Sequence, residues 1–273
     1  MKKLLALILA MCMLVCFAGC GEKAETASGA DDTAKKETIV VGYTIYEPMN
    51  YEDENGNLIG YDTDLAKAVF ENLGYNVIFK EIEWSAKYTD LASGTIDCIW
   101  NGFTCNTKDD DGVARADKVD FSYNYMENRQ VIVVNKDAKV KTAADLNGKL
   151  GVAESGSAGE TYAKTFKGST FKGFIKQTEC LFEVKAGTAD FAVLDAQLAK
   201  SSVGKGDYEN LVVVEELSSD VEYYGIGFEK GSELTAKVNA ELVRLGADGT
   251  IETLAKKYGV ENTAIKDFSD QKK

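Results

Sequence analysis

The sequence predicts an α/β protein made of two lobes that two extended strands join. From residue 38 onward, β-branched runs typical of strands alternate with amphipathic runs typical of helices. The alternation starts again near residue 130. The pattern extends over roughly 235 residues, which is more than a single small hydrophobic core usually supports, so two lobes are expected. Such alternation indicates largely parallel sheets covered by helices on both faces.

The first unit contains three predicted strands and two predicted helices. The strands are expected at residues 38–44, 76–80 and 96–100, and the helices at 62–73 and 85–92. Asp62 is a candidate N-cap of the first helix, because its side chain can accept a bond from a free backbone N–H. Gly74 is its expected stop.

The second unit repeats this order and ends with two helices. Strands are expected at 130–135, 149–153, 189–194, 211–214 and 223–228, and helices at 157–166, 179–186, from 196, at 233–245 and at 250–258. Residues 121–134 and 218–228 look like crossings between the units. If the last helices pack on the first lobe, that lobe comprises 38–128 and 223–273, and the second comprises 129–222. Ligands of such sheets bind at the carboxyl ends of strands, so one cleft between the lobes is expected.

The N-terminus is typical of an exported lipoprotein. Lys2 and Lys3 precede an apolar run of about 14 residues, which is too short for a permanent membrane span. The run closes on FAGC at 17–20, which resembles the bacterial lipoprotein box, although Phe17 stands where Leu is usual. We therefore expect a signal peptide at 1–20, lipid on Cys20, a flexible tether at 21–37 and an extracytoplasmic, membrane-anchored protein. The alternative is an ordinary signal peptide with an incidental Cys20.

Composition excludes several kinds of site. The formal net charge is −13, so nucleic acid is not an expected partner. The chain contains no His, which excludes imidazole catalysis and His-ligated metals. Cys98, Cys105 and Cys180 remain after the signal peptide and lack CxxC spacing. We expect no metal, cofactor or catalytic residue. Whether a disulfide bridge joins Cys98 and Cys105 is not decided by the sequence.

Seven segments carry a resemblance to a known family. They read, in order, GYDTDLAKAVF (60–70), LASGTIDCIWNGFT (91–104), VDFS (119–122), GKLGVAESGSA (148–158), GTADFAVLD (187–195), YGIGFEKGSEL (224–234) and DGTIETLAKKYG (248–259). Over nearly the whole chain after the tether, the sequence resembles the family 3 extracellular solute-binding proteins of amino-acid ABC importers. The resemblance implies a two-lobed periplasmic-binding-protein-like (type II) fold with a two-strand hinge. It also implies a monomer that closes on an amino acid and delivers it to a membrane permease and its ATPase.

The resemblance implies an arginine that binds the solute carboxylate, and Arg115 has the family's spacing to Phe121. A planar guanidinium suits a carboxylate because it donates bidentately. This chain departs from the family, because about six extra residues separate Thr104 from Arg115. Counting from Thr104 at the usual spacing reaches Asp109, whose charge is wrong for the task. The alternative role for Arg115 is a solvated surface residue, and the acidic insertion at 105–114 is expected to form an exposed loop.

Five further positions match the family's contacts with the two charged groups of the solute. The resemblance implies that Gly102 offers its carbonyl to the ammonium and that Thr104 offers its amide and hydroxyl to the carboxylate. Ser157 and Ala158 stand at a predicted helix start, where free amides suit a carboxylate. Asp195 ends an apolar strand and would meet the ammonium. Helix capping is the alternative role of Ser157 and Asp195.

Aromatic residues are expected to wall the cleft. Tyr46 matches the family's stacking residue, and Trp84 and Trp100 lie near segments expected to line the cleft, although core packing explains both Trp residues equally well. Family members often carry an acid at positions 43–45, which this chain lacks. The absence of this acid argues against a strictly basic solute, although Glu47 is a partial substitute for it.

Other functions remain alternatives at this stage. The same fold occurs in exported cyclohexadienyl or arogenate dehydratases, for which Glu47, Glu154 or Asp195 would have to act as the general acid. A sensor domain would need a membrane span and a signalling module in the same chain. A scaffold or adhesin would bind no small molecule.

Overall fold

The computed structural model describes residues 36–271, which belong to one compact unit. The predicted signal peptide, Cys20 and almost all of the predicted tether lie outside the described residues. Within the described range, no helix is long and apolar enough to cross a membrane.

Fourteen strands run through the described residues. They are β1 (Thr38–Tyr43), β2 (Tyr51–Glu52), β3 (Leu58–Ile59), β4 (Asn76–Glu81), β5 (Cys98–Ile99), β6 (Asp120–Phe121), β7 (Met126–Asn128), β8 (Gln130–Asn135), β9 (Leu150–Glu154), β10 (Thr170–Phe174), β11 (Phe191–Asp195), β12 (Leu211–Val214), β13 (Glu222–Tyr224) and β14 (Gly227–Phe228).

Eight α-helices and five short 3₁₀ segments cover and connect these strands in the described range. The α-helices are α1 (Tyr61–Asn72), α2 (Lys87–Ala92), α3 (Arg115–Lys118), α4 (Ala158–Ala163), α5 (Gln177–Ala186), α6 (Ala196–Ser202), α7 (Glu233–Ala247) and α8 (Thr250–Lys257). The 3₁₀ segments are Trp84–Ala86, Ala143–Leu146, Gly206–Tyr208, Glu215–Leu217 and Ser269–Gln271.

Two five-stranded sheets define the two lobes. The first lobe is built on the order β4-β1-β5-β14-β6, and the second on β10-β9-β11-β8-β12. In the first sheet β4, β1 and β5 are parallel, and β14 is antiparallel to its neighbours β5 and β6. In the second sheet β10, β9 and β11 are parallel, and β8 is antiparallel to its neighbours β11 and β12. The two-lobed α/β prediction is confirmed, whereas the expected largely parallel sheets are mixed, because strands that arrive from the other lobe enter in the opposite direction.

Two strands link the lobes. β7 and β13 pair antiparallel, with Glu222 opposite Asn128 and Tyr224 opposite Met126. The C-terminal helices return to the first lobe, where Asp64 on α1 accepts bonds from Lys257 Nζ at 2.7 Å and from the Tyr258 hydroxyl at 2.6 Å. This connectivity supports our division into 38–128 with 223–273 and 129–222, which remains a proposal.

Several elements differ from those predicted. Strands 130–135 and 211–214 are observed with the predicted bounds, but the expected strand at 223–228 is two strands and β10 was not predicted. Asp62 is not a helix cap, because α1 begins at Tyr61 and Gly60 precedes it without a side-chain cap. Asp62 is instead fully buried and accepts bonds from the Gly102 N–H and the Tyr125 hydroxyl, both at 2.9 Å.

The three described cysteines are free. Cys98 and Cys180 are buried, and Cys105 donates its thiol to Asn124 Oδ1 at 3.1 Å. The structure therefore has no bridge between Cys98 and Cys105.

Candidate functional site

A small cavity lies between the two lobes. The first lobe contributes residues that follow β4 and β5, and the second contributes residues at the ends of β9 and β11 and at the starts of α4 and α5. The lining residues are Trp84, Asn101, Gly102, Thr104, Arg115, Glu154, Ser157, Ala158, Gln177 and Asp195. The cavity therefore lies at the carboxyl ends of strands from both sheets.

Seven of the nine ligand-binding residues predicted from the sequence line this cavity. Tyr46 and Trp100 do not. Tyr46 is buried, and its hydroxyl lies 2.7 Å from that of Tyr224. Trp100 packs in the core against Phe70 and Tyr125, with ring centroids 5.9 and 6.0 Å away. Their predicted contacts with a solute remain untested, but neither ring forms the cavity wall.

Arg115 is the positive group of the cavity, and only 1% of it is exposed. Its Nη1 donates to the Thr104 carbonyl and its Nη2 to the Gly156 carbonyl, each at 3.2 Å. Its Nε donates to Asp109 at 2.8 Å. A guanidinium has five N–H groups. Two of them therefore stay available for a solute after these three bonds to described residues.

The partner of Arg115 comes from the insertion that separates it from Thr104. Residues 107–115 fold back on themselves, because the Arg115 N–H donates to the Thr107 carbonyl and the Asp109 N–H to the Val113 carbonyl. Asp109 is partly buried and also accepts a bond from Lys118 Nζ at 2.8 Å. Burial opposes ionisation of Asp109, but Arg115 and Lys118 outweigh it and lower its pKa to about 2. The insertion therefore supplies an anion that holds the Arg115 side chain.

Asp195 is an acidic group on the opposite wall. It ends β11 and is 7% exposed, and it accepts bonds from the side-chain amides of Asn128, Gln130 and Gln177 at 2.6–2.7 Å. Burial raises the pKa of this carboxyl, although these bonds oppose the shift. Asp195 precedes α6 but makes no side-chain cap there. Because its partners in the described structure are neutral, a solute cation would supply the missing countercharge.

Backbone geometry shapes the rest of the wall. Gly102 has φ +57°, and a Cβ placed there would lie 2.8 Å from the Tyr46 ring, so only glycine fits without displacement. Ser157 caps α4 by accepting a bond from the Glu160 N–H at 3.0 Å. Its own N–H donates to the Glu154 carbonyl at 3.2 Å and is therefore not a free donor in the described structure, whereas the contact of Ser157 with a solute stays a prediction.

Three lining residues were missed as binding residues by sequence reasoning, namely Asn101, Glu154 and Gln177. Asn101 and Glu154 stand at the carboxyl ends of strands, so that positional rule could have found them. Gln177 opens α5, and no local signal marks it. Glu222 was also missed. It accepts a bond from Gln130 Nε2 at 2.9 Å, and burial raises its pKa to about 7.

The arrangement suits a small dipolar solute. A buried cation and a buried anion face one cavity from different lobes, and both are held by bonds to described residues. A molecule with an anionic and a cationic end would satisfy both groups at once.

Comparisons with known proteins find relatives that are named as amino-acid-binding proteins. The arginine-binding extracellular protein of Bacillus subtilis is 28% identical over 263 residues, covering 94% of this chain and 98% of that protein. The L-cystine-binding protein of the same bacterium is 29% identical over 276 residues, covering 97% and 100%. Among solved structures, an ancestral arginine-binding protein bound to glutamine is 35% identical, with a TM-score of 0.75 and coverage of 83% of this chain and 99% of that one.

The family assignment follows from the match over most of the chain. The model of bacterial extracellular solute-binding proteins, family 3, matches residues 39–261. Apart from Thr38, that range includes both sheets, the two linking strands and every residue that lines the cavity. The chain belongs to the bacterial extracellular solute-binding proteins of family 3.

Proposed function

We propose that this protein captures an amino acid in the cavity between its lobes, as the binding component of an ABC importer. The observation that carries the proposal is the pair of buried, opposite charges on facing walls, Arg115 at 1% and Asp195 at 7% exposure. Arginine and L-cystine, for which two relatives are named, share an α-carboxylate and an α-ammonium. A site that grips those two groups recognises the class regardless of the side chain.

Each charged group of the solute has its own partners. Arg115 donates its remaining N–H groups to the α-carboxylate. Thr104, whose carbonyl accepts a bond from Arg115, places its backbone amide beside the same α-carboxylate. Asp195 accepts the α-ammonium while three side-chain amides fix its orientation. Gly102 and Ala158 line the same cavity and bring backbone groups to the solute.

Closure of the two lobes is the mechanism of capture. Arg115 of the first lobe donates to the Gly156 carbonyl of the second at 3.2 Å, and Lys87 donates to the same carbonyl at 2.9 Å. The described conformation is therefore closed. A solute that contacts both lobes favours this state through differential contacts, and the permease then recognises the closed shape.

Enzymatic activity is not favoured. The family consists of solute-binding proteins, and the relatives are named as binding proteins. The comparisons therefore do not favour the dehydratase alternative, although one similar solved structure is an ancestral amino-acid-binding protein described as a precursor of cyclohexadienyl dehydratase.

Membrane attachment belongs to the same proposal. The FAGC box and the tether composition support lipidation of Cys20, so that a monomer is held near its permease. Mass spectrometry of Cys20 in the mature chain tests this, and an unmodified thiol would contradict it.

Calorimetry on an Arg115→Ala variant tests the function. We expect amino-acid binding to weaken by about 3–5 kcal/mol, because the solute carboxylate would be buried without its partner. Arg244→Ala is the control, since Arg244 on α7 pairs with Glu241 of the same helix and with Asp248, the residue that follows it, away from the cavity. Unchanged affinity in folded Arg115→Ala protein, or no binding of any amino acid by the wild type, would refute the proposal.

A further inference from the structure

Glu154 is a second acid in the cavity wall with no role in gripping the α-groups. It ends β9, lines the same cavity as Asp195 and Arg115, and is 3% exposed. Its Oε1 accepts no hydrogen bond from any described residue. Burial, with the nearby Asp195 charge, raises the pKa of Glu154 well above its usual range.

The positive groups near Glu154 bond to other acceptors in the described structure. Arg115 donates to Asp109 and to two carbonyls. Lys87 is buried and donates to the carbonyls of Gly156 at 2.9 Å and Trp84 at 3.3 Å. Neither forms an ion pair with Glu154 in the described structure. Glu154 therefore lacks the partners that Asp195 has, since the oxygens of Asp195 accept bonds from side-chain amides.

The charges in the cavity wall identify the missing partner. Among the lining residues, Arg115 contributes one positive charge, and Asp195 and Glu154 each contribute a negative charge when ionised. Behind this wall, Asp109 pairs with Arg115. Lys87 is near enough to Glu154 to favour its ionised form without bonding to it. The α-carboxylate and α-ammonium of an amino acid satisfy Arg115 and Asp195 and leave Glu154 unpaired. A buried, unpaired acceptor is unfavourable, and a cationic side chain of the solute would remove that cost.

We propose that Glu154 is a specificity-determining residue that selects amino acids with a positively charged side chain. The inference rests on the proposed function, since it places the α-groups on Arg115 and Asp195. It also revises the sequence-based expectation, which looked for the acid at positions 43–45 of the first lobe. Here the second lobe supplies it, so the acid approaches the side chain only as the lobes close.

L-arginine and L-citrulline test the inference, because they have nearly the same shape and differ in side-chain charge. We expect calorimetry to show that the wild type binds arginine at least about 30-fold more tightly. In Glu154→Gln that preference should fall below about fivefold, mainly through weaker arginine binding. Glu216→Gln, an exposed acid of the same lobe, should keep the wild-type preference.

The outcomes separate this inference from the proposed function. Equal wild-type affinity for arginine and citrulline, binding of neutral amino acids only, or an unchanged preference in Glu154→Gln would overturn the role of Glu154 and leave amino-acid capture intact. Failure of the wild type to bind any amino acid would overturn both. If Glu154→Gln does not fold, Glu154→Asp keeps the charge on a shorter arm and should bind arginine more weakly, with citrulline nearly unaffected.

Discussion

At the scale of single residues, the cavity depends on carboxyl groups held by amides. Gln130 Nε2 donates both to Asp195 at 2.7 Å and to Glu222 at 2.9 Å, so two buried acids share one side-chain amide. Glu222 also accepts a bond from the Thr104 hydroxyl at 3.2 Å. This network joins the hinge strand β13 to both cavity walls, and it fixes Asp195 before any solute arrives.

Glu222 gives stability an unusual pH dependence. Its pKa rises from 4.5 to about 7 in the folded protein, so ionised Glu222 destabilises the fold above pH 7, and protonation between pH 7 and 4.5 relieves this. Glu222→Gln should therefore be more stable than the wild type at pH 8, by up to about 3 kcal/mol, and lose this advantage as the pH falls through that window. Urea unfolding at several pH values measures the difference. An advantage that does not change with pH would contradict the assignment.

Sequence reasoning placed Arg115 and Asp195 at the cavity that they line. Arg115 was identified by the spacing to Phe121 that the family resemblance implies, and Asp195 by its place at the end of an apolar strand. Their contacts with a solute stay a prediction.

The buried position of Asp62 could not be predicted, since its partner Gly102 lies 40 residues further along the chain. A rule based on neighbouring residues identifies only the start of the helix. Tyr46 and Trp100 are buried and do not line the described cavity, and the sequence could not decide this, because an aromatic residue suits a core and a cleft equally.

At the scale of elements, the acidic insertion connects the lobes. Asp109 holds Arg115 within the first lobe, whereas Asp110 pairs with Lys164 and accepts a bond from Thr161 Oγ1 at 3.3 Å, and both of these partners belong to the second lobe. The predicted exposed loop is thus only partly exposed and is anchored on both sides of the cleft. The sequence could not show this, because the partners of the loop lie about 50 residues away along the chain.

Removing the Asp110 contact should loosen closure. Asp110 and Lys164 are each 43% exposed, so the pair is worth about 1 kcal/mol or less. We expect Asp110→Asn to speed amino-acid dissociation by about two- to fivefold in stopped-flow measurements, with the effect shrinking at high salt. Asp207→Asn is the control, because Asp207 pairs with Lys185 inside the second lobe at 3.2 Å. Equal dissociation rates at low salt would exclude a role of Asp110 in closure.

At the scale of the whole molecule, residues of one lobe contact residues of the other away from the cavity. Glu81 of the first lobe meets Lys176 of the second at 2.5 Å, and the Ser201 hydroxyl donates to the Glu47 carbonyl at 3.1 Å. The two-lobed fold could be predicted because periodicity reports the number and order of elements. The mixed sheets could not, because strand direction depends on which lobe the chain returns to.

A crystal structure of the complex with the tightest-binding amino acid would show which residues hold the two charged groups of the solute. We expect the solute between the lobes, with its α-carboxylate at hydrogen-bond distance from Arg115 and its α-ammonium at hydrogen-bond distance from Asp195. A solute bound outside this cavity, or bound within it with neither charged group on these residues, would refute the proposed function.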